Sequence, residues 1–191
     1  MFYRRKLPHW QPEPDMGGFL FVTWRLSGSL PRNLERGARK PEPETTGRVF
    51  VTLDRHADRA TSGPLWLGDR RIAHLLNNAL QYGERERYFY NLRAWVIMPN
   101  HVHVLLEPKV PLATITRWLK GSTARQANEN LGRTGNNFWQ NESFDHWVRN
   151  DEELNRIVRY IEYNPVTAGL VRTAEDWPWS SAWLTSETAC R

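Results

Sequence analysis

The stretch Trp95 to Pro108, WVIMPNHVHVLLEP, sets His101 and His103 one residue apart inside an apolar run. Side chains on a β-strand alternate faces with period two, so both imidazoles point one way while Val102, Val104 and Leu106 point the other. Such a strand lays one face on a core and offers two imidazoles that can share a single cation. The plain alternative is a pair of solvated surface histidines. A second constellation lies in NDEELNRIVRYIEYNP, Asn150 to Pro165. On a helix, Tyr160 and Asn164 stand one turn and about 40° apart, so they share a flank. Pro165 disfavours helical geometry in the residue before it, which places Asn164 at the helix terminus with room for its carboxamide to turn toward a neighbour. A tyrosine in that position is most simply a packed rim residue.

These side chains need elements to hold them. GFLFVTWRL reads as a first strand, rich in β-branched and aromatic residues. From Asp69, a candidate N-cap, Ile72, Leu75, Leu76, Ala79 and Leu80 recur at helical spacing. YFYNLRAWVIM returns to strand character, and MPNH is a turn that joins it to the histidine strand as an antiparallel hairpin. Leu112 to Leu131 reads as a helix that buries Ile115, Trp118 and Leu119 and ends at Gly132. The last helix starts at Asn150, with Glu153 placed to complete a capping box and Leu154, Ile157, Val158 and Ile161 as its apolar face. Before the helix at Asp69, the Pro- and Gly-rich stretch from Ser27 reads as a loop-rich insertion over 27–68, with a short helix near Arg32 to Arg39 and an ambiguous RVFVTLD. Residues 1–17 read as an extended basic arm, 18–185 as one domain and 186–191 as a tail. No internal repeat or low-complexity tract interrupts this order.

Composition narrows the class. At 191 residues and 40% hydrophobic content the chain suits one domain with its own core. The net charge is +5, and Lys6, Lys40, Lys109 and Lys120 are the lysines among 26 basic residues, so arginine dominates. Guanidinium forks match phosphate oxygens and stack on bases, which leans toward nucleic acid, although a GC-rich coding sequence produces the same bias. Ten tryptophans could include stacking platforms for unpaired bases, and most are accounted for as packing. Cys190 is the single cysteine, which excludes an internal disulfide and a cysteine-based zinc site. The sequence has no signal-peptide or transmembrane run, so a soluble, cytoplasmic protein is expected.

Three segments together, MPNHVHVLLEP, FWQNESFDHWVRNDEELNRIVRYIEYNPVTAGLV and DWPWSSAW, resemble the single-tyrosine transposases of IS200-like type with an HUH motif. Within these the similarity is greatest to the REP-associated tyrosine transposases, and SLPRNLERG and GPLWLGDRRIA also resemble stretches common in one branch of that subgroup. The resemblance runs from about Phe19 to Trp183. It implies an α+β fold with a ferredoxin-like antiparallel sheet flanked by helices and a catalytic tyrosine on a C-terminal helix. It further implies Tyr160 as nucleophile, His101 and His103 as catalytic metal ligands with Asn164 as the third, and Mg²⁺ or Mn²⁺ as the ion. The implied reaction is cleavage and rejoining of single-stranded DNA beside a hairpin through a covalent 5′-phosphotyrosine. Arg4, Arg5 and Lys6 on the arm and Arg117, Lys120 and Arg125 on one helix are the candidate DNA contacts. Glu162 and Asp145 are candidate bases, and His146 is expected to be structural or a DNA contact. Relatives of this type act as dimers or monomers, and both remain open. The rival readings are a catalytically silent hairpin-binding regulator, a water-based metallophosphoesterase, and a replication-initiator or relaxase relative.

Overall fold

The computed structural model describes residues 17–29 and 63–183. Among these, four strands form one antiparallel sheet in the order β2-β3-β1-β4. They are β1 (Leu20–Arg25), β2 (Tyr90–Ile97), β3 (His101–Pro108) and β4 (Phe144–Trp147). Three helices accompany them, α1 (Arg70–Arg85), α2 (Leu112–Asn130) and α3 (Asp151–Thr167). The chain order β1, α1, β2, β3, α2, β4 is that of ferredoxin-like folds, and α3 follows it. The expected helix-flanked antiparallel sheet is therefore observed. The basic arm apart from Gly17, most of the 27–68 insertion, and the 186–191 tail lie outside the described residues, as do Arg4, Arg5 and Lys6.

Alternation along the strands builds two cores. Val22, Trp24, Trp95, Val102, Val104 and Leu106 pack under α1 and α2 with Ile72, Leu76, Ile115 and Leu119. Phe21, Ala94, Val96 and Leu105 face the other way, toward Ile157 and Ile161 of α3. His101 and His103, in phase with Leu105, stand on the α3 side. A one-residue slip of β3 would carry both imidazoles beneath α1 and α2 and displace Val102, Val104 and Leu106, each stabilising by about 1.5–3 kcal/mol when fully buried. That apolar set fixes which face the histidines occupy.

Local signals explain most element ends. Asp69 caps α1 by accepting from the Arg71 N–H at 2.9 Å. Gly132, at φ +63°, supplies the left-handed residue just past α2. Two expectations about α3 need correction. Asn150 does accept from the Glu153 N–H, but the Glu153 carboxylate reaches the Arg149 N–H instead of the cap's own, so the capping box is half formed. Pro165 does not end the helix: α3 continues to Thr167, and Asn164 lies inside it. Proline forfeits its own N–H bond and crowds the carbonyl four residues back, yet the helix runs on, closed by bonds from Ala168 N to Asn164 O and from Leu170 N to Pro165 O, each 2.9 Å.

The reading of the sequence contained no β4. Its four residues, FDHW, are all half-buried and show no alternation to read. Tertiary ties place it: Lys120 Nζ donates to the carbonyls of Gln140 at 2.5 Å and Asn141 at 2.9 Å, and Trp139 Nε1 donates to Thr123 Oγ1 at 3.0 Å. At the opposite edge, the DWPWSSAW segment covers β2. Ile97 N donates to Trp179 O at 2.8 Å and Trp177 Nε1 to Ile97 O at 3.0 Å, so backbone groups that would otherwise template pairing are occupied.

Candidate active site

β1 and β3 pair so that Thr23 lies opposite His103 and Arg25 opposite His101. All four side chains therefore share the α3 face, together with Phe21. Both histidines are buried, at 1% and 0% exposure, which disposes of the solvated-pair alternative. Their Nε2 atoms face each other at 3.0 Å. The remaining ring nitrogens are held at 2.7 Å each, His101 Nδ1 by Asn100 Oδ1 and His103 Nδ1 by Thr23 Oγ1. Tyr160 stands edge-on to His103, with ring centroids 5.5 Å apart, and edge-on to Phe21 at 6.1 Å. It is 38% exposed, so its hydroxyl-bearing ring bridges the buried pair and solvent.

Burial decides the protonation state of the pair. Desolvation, joined by the nearby Arg25 charge, pushes His101 down to about 3, and desolvation with His101 as neighbour holds His103 well below its ordinary value. Both imidazoles are thus neutral at physiological pH, the form that ligates metals. The sign for stability follows. Between about pH 6.5 and 3 the unfolded chain takes up protons that the fold refuses, so stability falls as pH falls through that window. The slope is up to about 1.4 kcal/mol per pH unit for each imidazole. Urea unfolding in EDTA should show a lower midpoint at pH 5 than at pH 7, and His101→Gln should flatten that dependence.

The donor set also suits a divalent cation. His101 and His103 would offer two neutral imidazole Nε2 atoms, which face each other at 3.0 Å, as nitrogen donors. Asn164 is 2% exposed, and its Oδ1 is buried with no hydrogen-bond partner among the described residues. A buried carbonyl oxygen left unpaired costs about 1–3 kcal/mol unless something binds it. Asn164 lies one turn along α3 from Tyr160, and a carboxamide oxygen is a donor of the type that hard divalent cations take.

Other candidates are placed elsewhere. Glu162 accepts from Ser181 Oγ at 3.0 Å and so serves the C-terminal segment that covers β2. Asp145 lies opposite Val22, on the α1 and α2 side of the sheet, away from the histidines. His146 shares the α3 face but is paired with Glu153 at 3.1 Å. Burial raises the Glu153 carboxyl, and the bonds from the Arg149 N–H and His146 outweigh it, leaving the group below its usual range. Arg117 and Arg125 are exposed on α2, whereas Lys120 is engaged with the loop before β4. Thr23, Arg25 and Asn100 were missed in the sequence. The lone hydroxyl in FLFVTW was the available signal for Thr23, and for Arg25 there was none without the strand register.

Residues 71–164 match the family model described as "Transposase IS200 like". That stretch, about half of the chain, is similar to IS200-like transposases. A REP-associated tyrosine transposase of Escherichia coli K12 is 32% identical over 108 residues, covering 56% of this chain and 62% of that protein. A Haemophilus influenzae protein provisionally given the same name is 32% identical over 107 residues, covering 50% of this chain and 61% of the relative. The chain thus matches about three-fifths of the length of these curated relatives. A solved structure of a REP-associated tyrosine transposase bound to a REP hairpin covers 92% of this chain and 82% of its own, with a TM-score of 0.51 and 22% identity. That likeness is one of fold. No helix among the described residues is long and apolar enough to cross a membrane.

Proposed function

We propose that this protein cleaves and rejoins single-stranded DNA beside a hairpin, with Tyr160 as nucleophile and a divalent cation, Mg²⁺ or Mn²⁺, held by His101, His103 and Asn164. The observation that carries the reading is the buried pair of Nε2 atoms 3.0 Å apart with the Tyr160 ring set against it. When bound, the cation supplies Lewis acidity and a template for a non-bridging phosphate oxygen. The chain's own residues do the rest. Tyr160 Oη attacks phosphorus, the bond to the 3′ oxygen breaks, and that oxygen leaves with a proton as a free 3′-hydroxyl. The 5′ side stays on the enzyme as a phosphotyrosine, so a later 3′-hydroxyl can reverse the exchange and join strands. Arg25, across from His101, adds positive charge where the phosphodiester must sit. Phe21 holds the Tyr160 ring edge-on and limits its orientations. The enzyme acts as a monomer or homodimer.

The test is incubation with Mn²⁺ and end-labelled hairpins that carry single-stranded flanks, followed by denaturing electrophoresis. A shifted, protein-linked band that maps to the Tyr160 peptide is expected. Cutting without an adduct would replace this reading with a water-based phosphoesterase, and binding without cutting with a silent regulator.

Arg117 and Arg125, with Arg4, Arg5 and Lys6 of the arm, are proposed to hold the hairpin through phosphates, with Lys120 bracing the adjoining loop. Each phosphate contact contributes about −0.7 to −0.9 to the slope of log K against log salt. Arg117→Ala should make that slope shallower by about that amount in a salt titration, equally for different stem sequences.

Asn164→Leu separates stability from function. Without metal the variant should be at least as stable as wild type in thermal unfolding, since the unpaired oxygen is gone. Its Mn²⁺ affinity and adduct yield should fall by at least about tenfold, a drop typical of a damaged metal site.

A further inference from the structure

We infer that Thr23 and Asn100 are positioning residues that set which nitrogen of each site histidine carries its proton, and that the Thr23 hydroxyl lets His103 exchange tautomers as the site fills. The inference rests on the proposal that this pair holds a cation. Asn100 Oδ1 can only accept, so at 2.7 Å it takes the His101 Nδ1–H and leaves His101 Nε2 as a lone pair. The facing His103 Nε2, 3.0 Å away, must then carry a proton and donate it to His101. His103 Nδ1 is consequently an acceptor, filled by the Thr23 hydroxyl at 2.7 Å.

Filling the site reverses the second half of this chain. Both Nε2 atoms must present lone pairs to a cation, so the His103 proton moves to Nδ1 and no proton is gained or lost. The Thr23 oxygen then accepts where it had donated, with its own proton turned away. A hydroxyl can do both; a carbonyl or carboxylate cannot donate. An acceptor-only partner would fix His103 as the Nδ1–H tautomer and leave two lone pairs confronting each other at 3.0 Å in the empty site. Thr23, 8% exposed, and Asn100, 1% exposed, keep these bonds away from competing water.

The experiment uses the full chain stripped of metal. Imidazole ¹⁵N shifts should report His101 protonated at Nδ1 and His103 at Nε2, and on adding Mg²⁺ only His103 should move its proton, to Nδ1. An unchanged His103 tautomer, or a change at His101 instead, overturns the inference, and this readout needs no variant to fold. Mn²⁺ titration followed by electron paramagnetic resonance supplies the second arm. Thr23→Val, near-isosteric, should weaken Mn²⁺ binding about 10–100-fold, Asn100→Ala should do likewise, and Thr23→Ser should restore Thr23 function to within about threefold. If His101→Ala loses Mn²⁺ while Thr23→Val binds as wild type, the positioning role is wrong and the metal reading stands. If His101→Ala binds Mn²⁺ as tightly as wild type, the metal reading itself fails.

Discussion

Tyr160→Phe should abolish the covalent DNA adduct and strand cleavage, a loss of at least about 10³-fold, while folding and hairpin binding stay as in wild type. The substitution removes one hydroxyl and keeps the ring that packs edge-on against His103 and Phe21. At 38% exposure the hydroxyl is not needed for the core, so stability should move by no more than about 0.5 kcal/mol. Tyr163 is the internal control. It lies on the same helix and is 53% exposed, but three residues on it points about 60° away around the axis, off the histidine flank. Tyr163→Phe should cleave normally on the same denaturing gel. An adduct that survives Tyr160→Phe and disappears with Tyr163→Phe would move the nucleophile one turn along and sink the present assignment.

His103→Ala and His101→Ala should each lower Mn²⁺ affinity by at least about 100-fold and bring adduct formation to background, with Tyr160 still in place. Each imidazole is buried, and each presents Nε2 to the other at 3.0 Å, so deleting one removes half of a two-nitrogen grip. The two variants should differ in stability. Both truncations open a buried cavity, and His103 also loses its stacking on Phe21 at 5.5 Å, so His103→Ala should cost the more, about 1–3 kcal/mol in urea unfolding. Excess Mn²⁺ should not rescue either variant at concentrations that saturate wild type. Full cleavage by His103→Ala under metal-free conditions would show that the pair serves packing alone.

The sequence carried the histidine strand well because its signal is local. Period-two alternation across Val102, His103 and Val104 states which residues share a face, and the apolar set leaves one face to bury under α1 and α2. The helices were legible for the same reason, since Asp69, Asn150 and Gly132 mark ends through bonds to their own neighbours. β4 was not legible. Phe144 to Trp147 lacks alternation; Lys120 and Thr123 of α2 tie down the loop that leads into it, and its pairing is with β1, more than a hundred residues earlier in the chain. The end of α3 was misread because the bias of Pro165 against helical geometry before it is a local preference, which the packing of Ile157 and Ile161 against the sheet overrides here.

That His101 and His103 share one strand face, and Tyr160 and Asn164 one helix flank, was legible from spacing, since strand and helix periodicities are properties of the backbone; the roles proposed for them came from the resemblance to IS200-like transposases. What the tertiary structure alone decided is their environment. Strand register put Thr23 and Arg25 opposite the histidines, and the packing of α3 brought the Tyr160 ring against His103. Burial then disfavours charge on the imidazoles and, among the described residues, leaves one Asn164 oxygen without a partner. Desolvation and pairing between residues 80 positions apart, as Thr23 and His103 are, depend on the closed fold, and no window of sequence contains them.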